Sequence, residues 1–96
     1  MACVKWTEQA LFDVENIAEY IAHDSEYYAK MFASKIIDSV TRLEVFPESG
    51  RIVPELNDSK IREILLGNYR IIYRLTENIV EVITVYHSPR LLDISI

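Results

Sequence analysis

Cysteine is nearly absent from the 96 residues: Cys3 stands alone. That excludes an intramolecular disulfide and a cysteine metal cluster, and it fits a reducing cytoplasm. Only Lys5 lies close enough in sequence to favour a thiolate, so Cys3 reads as an ordinary free thiol. Glycine is also scarce, and two residues, Gly50 and Gly67, cannot build a glycine-rich phosphate loop. Two well-separated histidines, His23 and His87, make no zinc site, and no serine-triad motif accompanies them. Dehydrogenase, kinase and metalloenzyme chemistry therefore lack their motifs, and neither cofactor nor metal is expected. Long apolar runs are missing as well. The cluster from Ala10 to Phe12 is cut by Asp13, and no stretch approaches a signal h-region or a membrane span. A soluble, unprocessed, cytoplasmic chain without membrane contact is the expectation.

Positive charge is the last deficit. Ten Lys and Arg face fifteen Asp and Glu, a net charge of −5, which argues against a nonspecific nucleic-acid binder. The imbalance is local. Residues 1–59 hold five basic against eleven acidic side chains, and residues 60–96 hold five against four. What the chain has in plenty is apolar residues, 50% of the total, enough to leave some apolar surface for a partner. One domain spanning 1–96 is expected, burying roughly 60–70% of the surface of its unfolded form.

The most informative stretch is Tyr69 to Leu75, introduced by Gly67-Asn68. Tyr69, Ile71, Tyr73 and Leu75 alternate with Arg70, Ile72 and Arg74, the period of a strand with a core face and a working face. Before it, Lys60 to Leu66 predicts a strand, with Arg62, Ile64 and Leu66 on one side and Ile61, Glu63 and Leu65 on the other. Gly67-Asn68 supplies the positive φ angles of the hairpin turn. After it, Thr76-Glu77-Asn78 turns into Ile79 to His87, a third strand rich in valine and isoleucine.

The first half reads differently. Met1 to Trp6 suggests a short strand at a sheet edge, ended by Thr7, which caps a helix, with Trp6 stapled against Leu11. Ala10, Leu11, Val14, Ile17, Ala18, Ile21 and Ala22 recur at helical spacing. His23 closes this helix, where the dipole favours a histidine, and Asp24 or Ser25 caps the next. In the second helix Ala29, Phe32, Ala33, Ile36, Ile37, Val40, Leu43 and Phe46 form the stripe, ended by Pro47 and Gly50. Tyr20, Tyr27 and Tyr28 gather at the bend, and residues 52–59 are expected to be loop. The sum is an α+β fold: an N-terminal strand, an antiparallel helix hairpin on one sheet face, then a three-stranded antiparallel meander.

The opposite face is expected to carry Arg70 and Arg74, joined by Arg62, Arg90 and His87. Such a set suits a phosphate or carboxylate partner, because arginine presents a fork of donors. It equally describes an exposed face kept soluble by charge. Glu48 and Glu55 are loop carboxylates that fit either solvation or a general-base role.

The series Phe46-Pro47-Glu48-Ser49-Gly50-Arg51, Ile61-Arg62-Glu63-Ile64, Tyr69-Arg70-Ile71-Ile72-Tyr73-Arg74 and Val85-Tyr86-His87-Ser88-Pro89-Arg90 resembles the RelE and ParE toxin superfamily, over nearly the whole chain. The resemblance implies a toxin neutralised by a cognate antitoxin, with operator DNA bound only through the complex of the two. Its target then divides. RelE-like members cut mRNA in the ribosome without a metal, which would make His87, Arg70 and Arg62 catalytic here. ParE-like members poison DNA gyrase, and the ending His87 to Arg90 looks more like theirs. The lysine-rich stretch of RelE is missing, with only Lys60 close by. An inactive antitoxin-binding remnant is a further alternative. Because the toxin is itself acidic, its antitoxin is expected to bind through apolar grooves.

Overall fold

Thr7 sets the first corner of the molecule. Its side chain accepts the amide of Ala10 at 3.1 Å, capping the helix that follows, and its hydroxyl points at the carbonyls of Val82 and Ile83, 2.8 and 3.0 Å away. The computed structural model describes residues 1–88. Strand β1 (Cys3–Trp6) leads through Thr7 into α1 (Glu8–Ala22), and Ser25 caps α2 (Glu26–Thr41) by accepting the amide of Tyr28. A 3₁₀ turn, Arg42–Glu44, closes α2; β2 (Arg51–Ile52), β3 (Ile61–Leu66), β4 (Tyr69–Thr76) and β5 (Ile79–His87) complete the described chain.

The sheet order is β1-β5-β4-β3-β2, with β1 parallel to β5 and the other pairs antiparallel. The expected meander is present, and β1 joins its edge. One strand is added to the expectation: Arg51–Ile52 lies inside or beside the segment read as loop and pairs with Glu63 and Arg62. Two residues are too few to leave a period in the sequence. In the β3–β4 turn only Gly67 takes a positive φ, 60°, not Asn68; in the next turn Glu77 does so, at 54°.

Helix side and open side of the sheet differ in content. Ile71, Val82 and Val85 are buried against Ala10, Phe32, Ile36 and Val40, with Trp6, Ile64 and Tyr69 packed around them. Tyr73, Val80, Ala2 and Leu43 make a second cluster. Leu11, Ile37 and Phe46, counted in the apolar stripes, are instead exposed at 53, 55 and 59%. The 3₁₀ turn ends the helical path before Phe46, and the hairpin is thus left with apolar residues facing out.

A bulge lies between β4 and β5, where Ile72 faces Thr84 and Tyr73 faces Val82, leaving Ile83 unopposed. It falls where β1 ends, and the Thr7 hydroxyl is aimed at both bulge carbonyls. Beyond it, Asp13 of α1 covers the freed strand edge, accepting the Val85 amide at 3.2 Å and the Thr84 hydroxyl at 2.5 Å.

Candidate functional site

Arg70 was expected on an exposed surface and is instead 2% exposed. Its placement follows from register. The two-residue turn pairs Leu65 with Arg70 and Glu63 with Ile72, so Glu63 is the diagonal neighbour of Arg70 on the same face. Arg70 Nε donates to Glu63 Oε1 at 2.6 Å, Nη2 lies against the same oxygen, and the Glu63 side chain is fully buried. The outer edge of the guanidinium is taken by Glu55, with Nη1 to Oε2 at 2.8 Å and Nη2 to Oε1 at 2.9 Å. Arg51, the cross-strand partner of Glu63, donates from Nε to its second oxygen at 2.5 Å. Two arginines and two glutamates thus form one network of zero formal charge. Tyr86, paired with Arg70 across β4–β5, holds its ring 5.6 Å from the guanidinium carbon.

Glu55 reaches this position because its loop is tightly turned. The amides of Leu56 and Asn57 donate to Val53 O, Asn57 takes a φ of 49°, and Asp58 Oδ1 accepts the Lys60 amide at 2.9 Å. Val53 is buried and anchors the loop. The paired guanidinium, with help from the loop's own backbone, pulls the Glu55 carboxyl from 4.5 down to about 2. Arg70 is correspondingly raised, first by Glu55 and then by Glu63, against the opposing effect of burial.

The remaining expected residues do not gather around Arg70. Arg74 shares its face but is exposed, with Glu81 at 3.8 Å. Arg62 lies on the helix side, opposite Tyr73, and its guanidinium is spent on backbone carbonyls: Ser59 at 3.1 Å, Glu48 at 3.3 Å and Gly50 at 3.0 Å. Tyr73 closes the same corner, donating to Pro47 O at 2.7 Å and accepting the Gly50 amide at 3.0 Å; burial raises its pKa, opposed by that amide. His87 pairs with Tyr69, ring centroids 5.1 Å apart, and so also lies on the helix side, at the mouth of a cavity of about 390 Å³ that Phe32 and Lys35 line with it. A converging patch of Arg62, Arg70, Arg74 and His87 is therefore not formed: alternation sends Arg62 and His87 through the sheet from Arg70 and Arg74. Arg90, the remaining expected member, lies outside the described residues.

Glu63, Arg51 and Tyr86 are the residues that sequence reasoning missed. The signal for Glu63 was present, since Arg70 at the second place of a hairpin strand and a glutamate on the same face before a two-residue turn must be neighbours. The chemistry of the face is arginine-based ion pairing next to an aromatic ring, with the imidazole on the other side.

A five-stranded sheet with a bulge between β4 and β5, a helix hairpin on one face and an arginine held on the other is the architecture expected from the resemblance to the RelE and ParE toxins. The chain belongs to the family described as the ParE toxin of the type II toxin-antitoxin system, parDE, whose profile matches residues 4–92. It is similar to Toxin RelE2 of Caulobacter vibrioides, 30% identical over 92 residues that cover 95% of this chain and 100% of that one. It also shares its fold with a solved structure titled the chromosomal ParDE TA system from P. aeruginosa, with a TM-score of 0.75 at 19% identity, over 92% of this chain and 97% of that chain. Membership of a type II toxin-antitoxin family implies a cognate antitoxin as partner.

Proposed function

We propose that this toxin works by binding and not by catalysis, as a ParE-like inhibitor of DNA gyrase in the cytoplasm, with residues 1–96 acting as one domain. The observation that carries the reading is the separation of the His87 imidazole from Arg70. Arg70 is neutralised by Glu55 and Glu63, while His87, the side chain best suited to move a proton near neutral pH, sits through the sheet beside Tyr69. Metal-independent cleavage of RNA needs a base and a phosphate-stabilising cation around one phosphodiester. An acidic chain also gains little from a polyanionic substrate.

The cognate antitoxin is expected on the helix hairpin, where Leu11, Phe12, Tyr20, Tyr27, Tyr28 and Ile37 are each more than half exposed. Apolar contact of this kind serves an acidic toxin better than charge does. Two features favour the endonuclease alternative: Glu55, a carboxylate able to serve as a general base, lies against Arg70, and the Tyr86 ring beside that arginine can take a base whose phosphate the arginine holds.

Expression without antitoxin tests the proposal. Growth arrest with a DNA-damage response and intact transcripts is the expected result. Arrest with ribosome-dependent transcript cuts would transfer the assignment to the nuclease, and normal growth with soluble protein would mark an inactive, antitoxin-binding remnant.

A further inference from the structure

The connection from the 3₁₀ turn to β2 has a pinned backbone and bare apolar side chains. Glu44 O accepts the Ala2 amide at 2.8 Å, the amides of Val45 and Phe46 both donate to Arg42 O, and the Ser49 amide donates to Phe46 O at 3.1 Å. Tyr73 donates to Pro47 O and accepts the Gly50 amide, while Arg62 donates to the carbonyls of Glu48 and Gly50. Leu43, fully buried, fixes the near end of the loop, and Gly50, where even a Cβ would collide with Tyr73, fixes the far end. On this frame Val45 and Phe46 are exposed at 56 and 59%, beside a surface cavity of about 410 Å³ that Pro47, Glu48 and Ser49 line with them. Among the described residues neither side chain packs into a core cluster.

We propose, resting on the gyrase reading, that Val45 and Phe46 are the anchor by which the toxin grips gyrase, entering an apolar pocket with a basic rim that borders the path of the bound DNA. A loop already fixed in shape loses little freedom on binding, so its contacts keep more of their free energy, and aromatic side chains near the centre of an interface carry a large share of it. Charge selects the occupant. Glu44 and Glu48 bracket the apolar pair, in a half of the chain that holds eleven acidic against five basic side chains. A protein that holds DNA presents lysine and arginine along the phosphates, and an acidic toxin with a projecting aromatic ring fits the margin of that surface. Position separates the anchor from the antitoxin. The loop follows the C-terminal end of α2, while Tyr27 and Tyr28 stand at its N-terminal end, about 24 Å away for a helix of 16 residues at 1.5 Å each. The same frame gives Arg62 a role outside catalysis: its guanidinium holds the loop in shape.

The test measures binding of the full chain to immobilised, intact DNA gyrase for wild type, Phe46→Ser and Leu56→Ser. Leu56 is the matched control, an apolar residue of equal exposure, 59%, on another loop. Phe46→Ser is expected to bind about thirtyfold more weakly with its urea midpoint unmoved, and Leu56→Ser to bind as wild type does. Glu48→Lys adds the charge arm: it should slow association and flatten its dependence on salt. Wild type that fails to bind gyrase would overturn the gyrase reading and this proposal together. Wild type that binds, with Phe46→Ser equal to it or with Phe46→Ser and Leu56→Ser weakened alike, would overturn this proposal alone. A wild-type dimer that Phe46→Ser converts to monomer in sedimentation equilibrium would assign the loop to a second copy of the chain. Loss of co-purification with the cognate antitoxin in Phe46→Ser, with gyrase binding intact, would assign it to the antitoxin, and either assignment overturns the proposal.

Discussion

The two faces of the β3–β4 hairpin are buried to a similar depth by opposite means. On the helix side Ile71 and Tyr73 are fully buried among apolar neighbours; on the open side Glu63 and Arg70 are 1 and 2% exposed among charges. Apolar burial is nondirectional and tolerates substitution in proportion to the volume lost. Buried charge is conditional on its partner: the pair is close to neutral for stability as a whole, yet costly to break. The helix side therefore holds the fold together, and the open side holds Arg70 in a fixed place.

The sharpest break in that comparison is Glu63→Gln. It leaves Arg70 buried without its anchoring anion and should cost about 3–5 kcal/mol, read as a lower urea midpoint. Replacing both partners, Glu63→Leu with Arg70→Met, should lose less than Glu63→Gln alone; a larger loss would mean that the network stabilises the fold outright. On the helix side the probe is Gly50→Ala. A Cβ there would meet the Tyr73 hydroxyl at 2.6 Å and the Glu63 carbonyl at 2.8 Å, and the backbone contact cannot swing away. The expected cost is about 1–3 kcal/mol, and an unchanged midpoint would show that the Tyr73 corner yields freely.

The smallest effect belongs to the outer pair. Because the Glu55 carboxyl is lowered from 4.5 to about 2 in the folded chain, its stabilisation is complete above pH 4.5 and fades as the pH falls toward 2. At its exposure the contribution is about 1 kcal/mol or less. The stability difference between wild type and Glu55→Gln should shrink through that window, and a difference constant across it would contradict the pairing.

The architecture was legible because its signals are periodic. Tyr69 to Leu75 alternates cleanly, and Thr7 and Ser25 mark both helix starts. The arginine face was legible only in part. Alternation correctly put Arg70 and Arg74 together, and the same rule already placed Arg62 with Ile64 and Leu66 and so on the packed side; His87, paired with Tyr69, follows it there. What periodicity could not convey was burial. The loop bearing Glu55 has no repeat, β2 is two residues long, and the bulge at Ile83 shifts the phase of β5 without a mark in the residue types. A reader counting alternation sees an arginine facing outward; only the loop's turn geometry shows it covered.

The direct test of the binding reading sets two assays on one preparation: gyrase supercoiling of relaxed plasmid, and cleavage of mRNA on translating ribosomes. The account predicts loss of supercoiling with accumulation of cleaved gyrase–DNA complex and intact mRNA. Unimpaired supercoiling together with ribosome-dependent cuts that disappear in Arg70→Lys would contradict it.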